Sequence, residues 1–404
     1  MRIAIVGAGI VGVTTAYELA ADGHEVTVFE RHATPAEEAS FANAGLLGAS
    51  QVLRWAAPEM LGPQKNPLSL RELRWPWQRR RAGDPQTLLA NRARLQRLAL
   101  YSAERLRTLS HDLPLSYEFG LGCLWLLRTR RDAERARPLI DALREAGLLL
   151  REVDAAEARA IEPALASDTP LLGAIHLPHD AFGNCRQFTM GLAAGAEQLG
   201  ARFRFRAEVT AIDRAAPATL QVAGEAAPQR FDALVLCTGA ASATLMRTLK
   251  VALPLTPLHG YSISAHVHEP LRAPRGAVVD LHQHVSITRL GRRVRVAGVT
   301  EAGNVPESPQ DADLQALYKA LRAWFPMAAQ LSDGVQVWRG ARPTLPDGLP
   351  VLGASGLPGL WLNLGHGAAG WALACGSARV LADLIAGRAP AIDLQGFGIE
   401  RLRR

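Results

Sequence analysis

Lysine is almost missing from this chain of 404 residues: Lys65, Lys250 and Lys319 are its whole supply, and arginine makes up the rest of 45 basic residues. With 38 acidic residues, the formal net charge is +7. Arginine standing in for lysine to this degree reflects a GC-rich genome rather than nucleic-acid binding, and no nucleic acid is expected as a partner. The excess suits an anionic substrate or an anionic membrane surface. Cysteine is equally scarce. Cys123, Cys185, Cys237 and Cys375 are scattered with no C-x-x-C pair, which argues against a disulfide framework and a zinc site and fits a reducing, cytoplasmic setting. No metal is expected. No apolar run reaches the ~18 residues of a membrane span, and a strand beginning at residue 2 leaves no room for a leader. Repeats and low-complexity tracts are absent as well. With 48% hydrophobic and 21% charged residues, the chain reads as globular, long enough for two medium domains or one large elaborated one.

The chemistry begins at once. Arg2 to Val6 is a continuous apolar run, the kind buried on both faces of a parallel sheet. Gly7-Ala8-Gly9-Ile10-Val11-Gly12 fits G-x-G-x-x-G, Thr14 to Ala21 reads as a helix, and Glu25 to Glu30 as a second strand ending in an acid. Gly7 permits the tight turn, Gly9 lets a pyrophosphate approach the backbone, and Gly12 lets helix and strand pack closely. The helix N-terminus favours phosphate, and Glu30 is placed to accept hydrogen bonds from ribose hydroxyls. The pattern implies a bound dinucleotide without deciding between FAD and NAD.

Further on, Ala39 to Gly45 is a string of small residues, either a surface turn or backbone that approaches a flat ring closely. Arg71 to Arg81 interleaves arginine with Trp75 and Trp77. It reads as a solvated loop whose tryptophans pack inward, with a membrane interface as the second reading. Leu88–Leu109, Asp132–Gly147 and Glu152–Arg159 have helical periodicity, and Cys185–Leu199 is a further helix. Ala201–Ile212 alternates as a strand pair would, and Phe231–Gly239 is a second buried parallel-type strand. Between Leu253 and Thr300 antiparallel strands dominate, with His282 and His284 placed on one strand face and no third partner for a metal. Asp311–Trp324 is a helix closed by Pro326. Near the end, strand Leu360–Leu364 runs into Gly365-His366-Gly367-Ala368-Ala369-Gly370 and a helix to about Ile385. Too little chain follows for a second dinucleotide unit, but a helix N-terminus is aimed at something negative. A turn that needs glycine only for packing is the other reading.

The two ends together resemble the FAD-dependent D-amino acid oxidase superfamily, and most closely the bacterial D-amino acid dehydrogenases. The residues that carry the resemblance are IVGAGIVGVTTAYELAADGHEVTVFER at 5–31, FANAG at 41–45, HGYS at 259–262, SITR at 286–289, GARPTLPDGLPVLG at 340–353 and WLNLGHGAAGWALACGSARVLADLIAGRAPAI at 361–392. It implies an α/β fold: a Rossmann-type FAD-binding domain (1–88, 185–250 and 336–404) interleaved with an antiparallel-sheet substrate domain (89–184 and 251–335). It implies FAD rather than NAD. Gly7, Gly9, Ile10, Val11, Gly12, Glu30 and Arg31 would hold the ADP half. Ser40, Ala42, Asn43, Ala44, Gly45 and Leu46 would belong to the loop along the flavin, although a polar residue is common where Leu46 stands. Val209 would lie near the adenine and Thr238 and Gly239 near the pyrophosphate. Gly340 and the loop Gly365, His366, Gly367, Ala368 would cap the flavin. Arg342 would bind the substrate carboxylate bidentately, and Tyr261 would face the substrate unless it is a strand-core tyrosine. Gln283 and His284 fall where an active-site-lining strand usually shows an aromatic.

The implied reaction is oxidative deamination of a D-amino acid, hydride passing from Cα to flavin N5 and electrons onward to a quinone or other carrier, with peripheral membrane contact through the basic loop. Competing readings are an oxygen-using oxidase of glycine, sarcosine or D-proline-type imino acids, a nicotinamide-dependent dehydrogenase, and a nucleotide-binding module acting on RNA or a partner.

Overall fold

The computed structural model of the chain describes residues 1–55, 79, 80, 82–302 and 311–402. Of the basic tryptophan-containing stretch 71–81, all but Arg79 and Arg80 therefore lie outside the described residues. In chain order the helices are α1 (Ile10–Ala21), α2 (Ala49–Trp55), α3 (Pro85–Asp112), α4 (Arg130–Glu145), α5 (Ala155–Ile161), α6 (Cys185–Gln198), α7 (Ser242–Thr248), α8 (Asp311–Trp324) and α9 (Gly370–Ile385).

A six-stranded sheet takes the order β16 (Val351–Ala354), β17 (Leu360–Leu364), β10 (Ala233–Leu236), β1 (Arg2–Val6), β2 (Glu25–Phe29) and β6 (Arg202–Arg204). All its pairs are parallel except β16–β17. The apolar run of β1 is buried on both faces, as continuous hydrophobic strands of parallel sheets are. Ile3 and Ile5 pack with α1 and α6, while Ala4 and Val6 pack toward α7 and the small sheet β7 (Val209–Ile212), β8 (Thr219–Val222), β9 (Gln229–Arg230). At the end of β1, Gly7 has φ +100°. A Cβ on Gly12 would stand 1.9 Å from the Gly7 carbonyl oxygen, so α1 leaves the strand at a distance only glycine permits. Gly367–Ile385 is, among the described residues, the stretch apolar and long enough to match a membrane span. Its α9 is a core helix instead, wedged between α1 and α3 with twelve buried residues from Trp371 to Ile385.

An eight-stranded sheet follows the order β15 (Gln336–Thr344), β11 (Thr256–His266), β14 (Arg293–Ala302), β13 (Val285–Leu290), β12 (Ala277–Asp280), β3 (Gly120–Leu127), β5 (Gly173–Phe182), β4 (Arg151–Asp154). It is antiparallel throughout except that β3 and β12 run parallel. Alternation along β13 divides its faces. Val285 and Ile287 join Leu317, Leu321 and Trp324 of α8, while Ser286 and Thr288, both buried, turn to the opposite face.

Several boundaries differ from the sequence expectations. Strand β15, assigned to the nucleotide-binding part, pairs with β11 in the eight-stranded sheet. Helix α3 packs on α9 rather than on the second sheet, with Gly376 donating its N–H to Ser102 Oγ at 3.1 Å. The helix read at 152–159 is strand β4 followed by α5, which Asp154 caps by accepting from the Glu157 N–H. The strand pair at 201–212 is split, β6 joining the parallel sheet and β7 the small one. His282 and His284 occupy the turn between β12 and β13, His284 at φ +56° and His282 on Asp132 at 3.1 Å.

Candidate cofactor and active site

The carboxyl ends of β1, β10 and β17 lie side by side because these strands pair parallel and in register. A cavity of about 490 Å³ opens over them. Gly7, Gly9, Ile10, Val11, Glu30 and Arg31 line one end of it, with Val209 beside them. Ser40, Ala42, Asn43 and Ala44 form a side wall, Thr238 and Gly239 the floor beyond β10. At the other end stand Tyr261, Gly340, Arg342 and the loop Gly365, His366, Gly367, Ala368. Three of the singled-out residues are not in its walls. Gly12 faces Gly7 instead. Gly45 donates to Asn43 Oδ1 at 3.1 Å and accepts from the Gly183 N–H at 2.8 Å. Leu46 pairs with Phe182 and packs in the core around Trp125.

At the first glycine turn, Glu30 accepts from the Ala8 N–H at 2.7 Å and the His32 N–H at 2.9 Å, so its carboxylate is fixed across the turn. Ser40 Oγ accepts from the Ile10 N–H at 3.1 Å. The three glycines separate by cause. Protein backbone crowds Gly7, where a Cβ would lie 2.6 Å from the Cys237 carbonyl oxygen, and Gly12. At Gly9 a Cβ would meet only Ser40 Oγ at 3.5 Å, an ordinary contact, so the protein does not itself require glycine there. Its open face is turned to the cavity, where the backbone lies bare to a ligand.

The loop along the middle of the cavity is held by the eight-stranded sheet. Ser262 Oγ donates to the Ala42 carbonyl at 2.8 Å, Arg295 Nη1 to Asn43 at 3.2 Å and Thr288 Oγ1 to Ala44 at 3.0 Å. Three successive carbonyls are thus fastened to one sheet face by side chains from three strands. Burial pulls the Arg295 pKa down to about 10, which leaves it a cation at neutral pH. The motifs containing Ser262 and Thr288 are visible in the sequence; Arg295 gave no signal there.

At the second glycine turn, Gly365 (φ +81°) and Gly367 (φ +57°) adopt left-handed backbone and lead through a 3-10 turn into α9. The His366 side chain turns inward to Ser377 Oγ at 3.1 Å, and burial pushes its pKa down to about 3. It is neutral near pH 7 and fixes the loop rather than exchanging protons. Arg342 Nη1 donates to Thr300 Oγ1 at 3.1 Å. A Cβ on Gly260 would lie 2.3 Å from that guanidinium, so glycine makes the room for it. Burial lowers the Arg342 pKa to about 10, again leaving a cation.

Tyr261 differs from its expected role. Strand alternation turns its ring to the α8 side of the sheet, in the core with Ile263 and Trp324. Its hydroxyl donates to Glu301 Oε2 at 2.7 Å and is 1% exposed as a residue. It is a strand-core tyrosine. Gln283 and His284, placed in a turn, do not line the cavity, whereas Tyr261 does so from the edge of that core. Trp338 does: it stacks on Phe41 at 6.1 Å, and its ring covers the face of Gly340.

A polar cluster that sequence reasoning missed lies beside this end of the cavity. Helix α2 packs on the Gly367–Ala369 turn. It carries Ser50 and Gln51, which both hydrogen-bond Asp180, and Arg54, whose guanidinium sits 6.0 Å from the centre of the Trp125 ring. Burial lifts the Asp180 pKa to about 6 and lowers that of Arg54 to about 10.

A family profile described as FAD dependent oxidoreductase matches residues 2–384. Among solved structures, the chain is similar to glycine oxidase from Geobacillus kaustophilus, with 24% identity, 98% of each chain covered and a TM-score of 0.75. It is similar also to iminodiacetate oxidase from Chelativorans sp. BNC1 (21%, 98% of each chain, TM-score 0.75). L-proline dehydrogenase from P. horikoshii superposes likewise (18%, 100% of this chain and 98% of that one, TM-score 0.74).

Two outcomes test the site. Gly12→Ala should destabilise the fold by roughly 2–3 kcal/mol through overpacking, whereas Gly9→Ala should unfold in urea like the wild type and bind FAD at least about tenfold more weakly. Equal urea midpoints for the two variants would refute the assignment. For Asp180, burial makes the folded state hold the proton more tightly than the unfolded chain does. Stability from this group is therefore lost as pH rises from about 4 to about 6, by about 3 kcal/mol, and is level above. Urea midpoints of Asp180→Asn and wild type, compared at pH 4.5 and 7.5, should show that the variant lacks this loss.

Proposed function

Because the chain belongs to the FAD dependent oxidoreductase family and its cofactor is FAD, we propose that it oxidises the amine α to the carboxylate of D-amino acids, releasing 2-oxo acid and ammonia. The observation that supports this reading is Arg342, a buried cation at the end of the cavity facing the Gly365–Ala368 turn. The protein's fit to the cofactor rests on the open Gly9 face, the Glu30 carboxylate fixed at the first turn and the α1 N-terminus.

When bound, FAD supplies the hydride acceptor. Everything else is positioning. The Arg342 guanidinium takes the substrate carboxylate as a two-pronged donor, which lysine cannot imitate, and Thr300 keeps it from swinging. The backbone at Gly367 and Ala368 receives the amino group, so the Cα–H is directed at the cofactor. The ammonium proton leaves to water, since His366 is buried, neutral and bonded to Ser377. The amine loses a hydride and a proton to become an imine. Water then adds to the imine and ammonia departs. The partial positive charge at the N-terminal end of α9 favours negative charge arising beside that turn.

We assign the electrons to a quinone or other carrier, and the protein to the cytoplasm, with peripheral attachment to the inner face of the membrane through the basic stretch 71–81. The solved structures of glycine oxidase give a second reading, an oxygen-using oxidase of glycine, sarcosine or D-proline-type imino acids.

An anaerobic absorbance titration of the holoenzyme with D-alanine, D-proline and glycine separates the readings. Bleaching by a D-amino acid, with slow recovery in air and fast recovery with a quinone, is expected; rapid recovery with peroxide release would establish the oxidase. Arg342→Lys should keep its flavin yet lose about 100-fold or more in kcat/KM, and wild-type kinetics would overturn the carboxylate role. Sedimentation with phosphatidylserine vesicles tests the membrane contact, which fails if the protein stays in the supernatant at low salt.

A further inference from the structure

We infer that Trp338 limits the size of the substrate: its indole walls off one side of the place where the α-carboxylate is held, so that amino acids with small side chains are the preferred class. The inference rests on the oxidation of α-amino acids proposed above and concerns the same site.

Strand alternation puts Trp338, Gly340 and Arg342 on one face of β15, and all three line the cavity. The indole does not stand over its own position. A Cβ on Gly340 would lie 1.8 Å from its Cη2 and 2.3 Å from its Cζ3, so the ring leans along the strand and covers the next residue on that face. Arg342 leans across the sheet instead, its Nη2 2.3 Å from where a Cβ of Gly260 would stand. Gly260 and Gly340 are directly paired between β11 and β15, and opposed Cβ positions lie about 4.5–5.5 Å apart. The six-membered ring of Trp338 and the guanidinium of Arg342 are therefore neighbours, laid over a pair of glycines.

Beyond Arg342 the face is closed as well. Thr344, the next residue on it, bridges to His366, and a Cβ on Gly367 would lie 3.5 Å from the Thr344 Oγ1. A strand rises about 3.3 Å per residue, so roughly 13 Å separates the ring over position 340 from the bridge at 344. A carboxylate on Arg342, with its Cα and amino group, fits between those walls; a branched or aromatic group on the same Cα meets the indole. The wall is also braced. Phe41 stacks on the Trp338 ring with centroids 6.1 Å apart and planes 24° apart, and the Arg186 guanidinium sits 4.4 Å from the centre of the Phe41 ring. Swinging the indole off Gly340 breaks that stack and exposes its apolar surface. A tryptophan that served only to pack against Phe41 would affect stability and flavin content, and would leave the relative preference among substrates untouched.

The test uses the flavin-loaded protein. Acetate, 2-methylpropanoate and phenylacetate are titrated as ligands through their perturbation of the flavin absorbance, and D-alanine, D-valine and D-phenylalanine are compared as anaerobic reductants. In the wild type, affinity and kcat/KM are expected to fall at least about tenfold from the smallest member of each series to the phenyl one, against the trend that added apolar surface gives. In Trp338→Ala the ratio of kcat/KM for D-phenylalanine over D-alanine should rise at least about tenfold, with Trp338→Phe between, and phenylacetate should gain on acetate in step. A wild type that binds phenylacetate as tightly as acetate, or is reduced as readily by D-phenylalanine as by D-alanine, overturns the wall whether or not the variants fold. So does a flavin-loaded Trp338→Ala protein whose ratios stay at the wild-type values. Reduction by large and small D-amino acids alike would leave the proposed deamination standing without the wall. Reduction by none of them would overturn the deamination, and the carboxylate series would still decide the wall.

Discussion

The cavity exists because α1 and β1 touch where their glycines meet. With the Gly7 carbonyl oxygen 1.9 Å from where a Gly12 Cβ would stand, any side chain there would push the helix off the strand. That contact aims the first turn of α1 over the carboxyl end of β1. Because β10 and β17 run parallel to β1 in neighbouring positions, their ends open on the same cavity. The two glycine turns, more than 350 residues apart in sequence, thus line one cavity.

Closing the cavity takes the second sheet. Its strand faces divide labour by alternation: Val285, Ile287, Tyr261 and Ile263 bury themselves against α8, which releases Ser262, Thr288 and Arg295 to grip the carbonyls of Ala42, Asn43 and Ala44. A hydrogen bond to a charged donor is worth about 1.5–3 kcal/mol and a neutral one about 1, so three together can order a loop of small residues that has little packing of its own. The same face supplies Arg342. Loop placement and substrate recognition in the proposed reaction are consequently properties of one surface.

Burial governs the chemistry of that surface. His366 and Asp180 are driven toward neutrality, while Arg342, Arg295 and Arg54 stay charged because even a pKa near 10 lies far above neutral pH. The guanidiniums there keep their charge at any physiological pH, and His366 at the turn is held neutral by burial. Positioning and charge, rather than side-chain acid–base work, are what it offers.

Much of this could be read from residues alone. The apolar run of β1, the glycine spacing and the acid at position 30 have local causes: a strand buried on both faces, a turn that excludes side chains, and an acid at a fixed distance along a βαβ unit. Periodicity likewise marked α3, α4, α6, α8 and α9 to within a few residues. Other features are set by partners distant in the chain, and no local pattern carries them. Tyr261 belongs to a conspicuous motif, yet which face of β11 becomes core is decided by where α8 packs. The short strands β4 and β6 were read as parts of other elements because their burial is supplied by β5 and β2. Arg54, Asp180 and Arg295 are ordinary charged residues in sequence. Only the folding of α2, β5 and β14 onto one another's neighbourhoods removes them from water and gives their charges meaning. Local sterics, then, were determined by the sequence by itself; the burial of charge, and with it the site, was decided by the tertiary structure, because desolvation depends on every layer that covers a group.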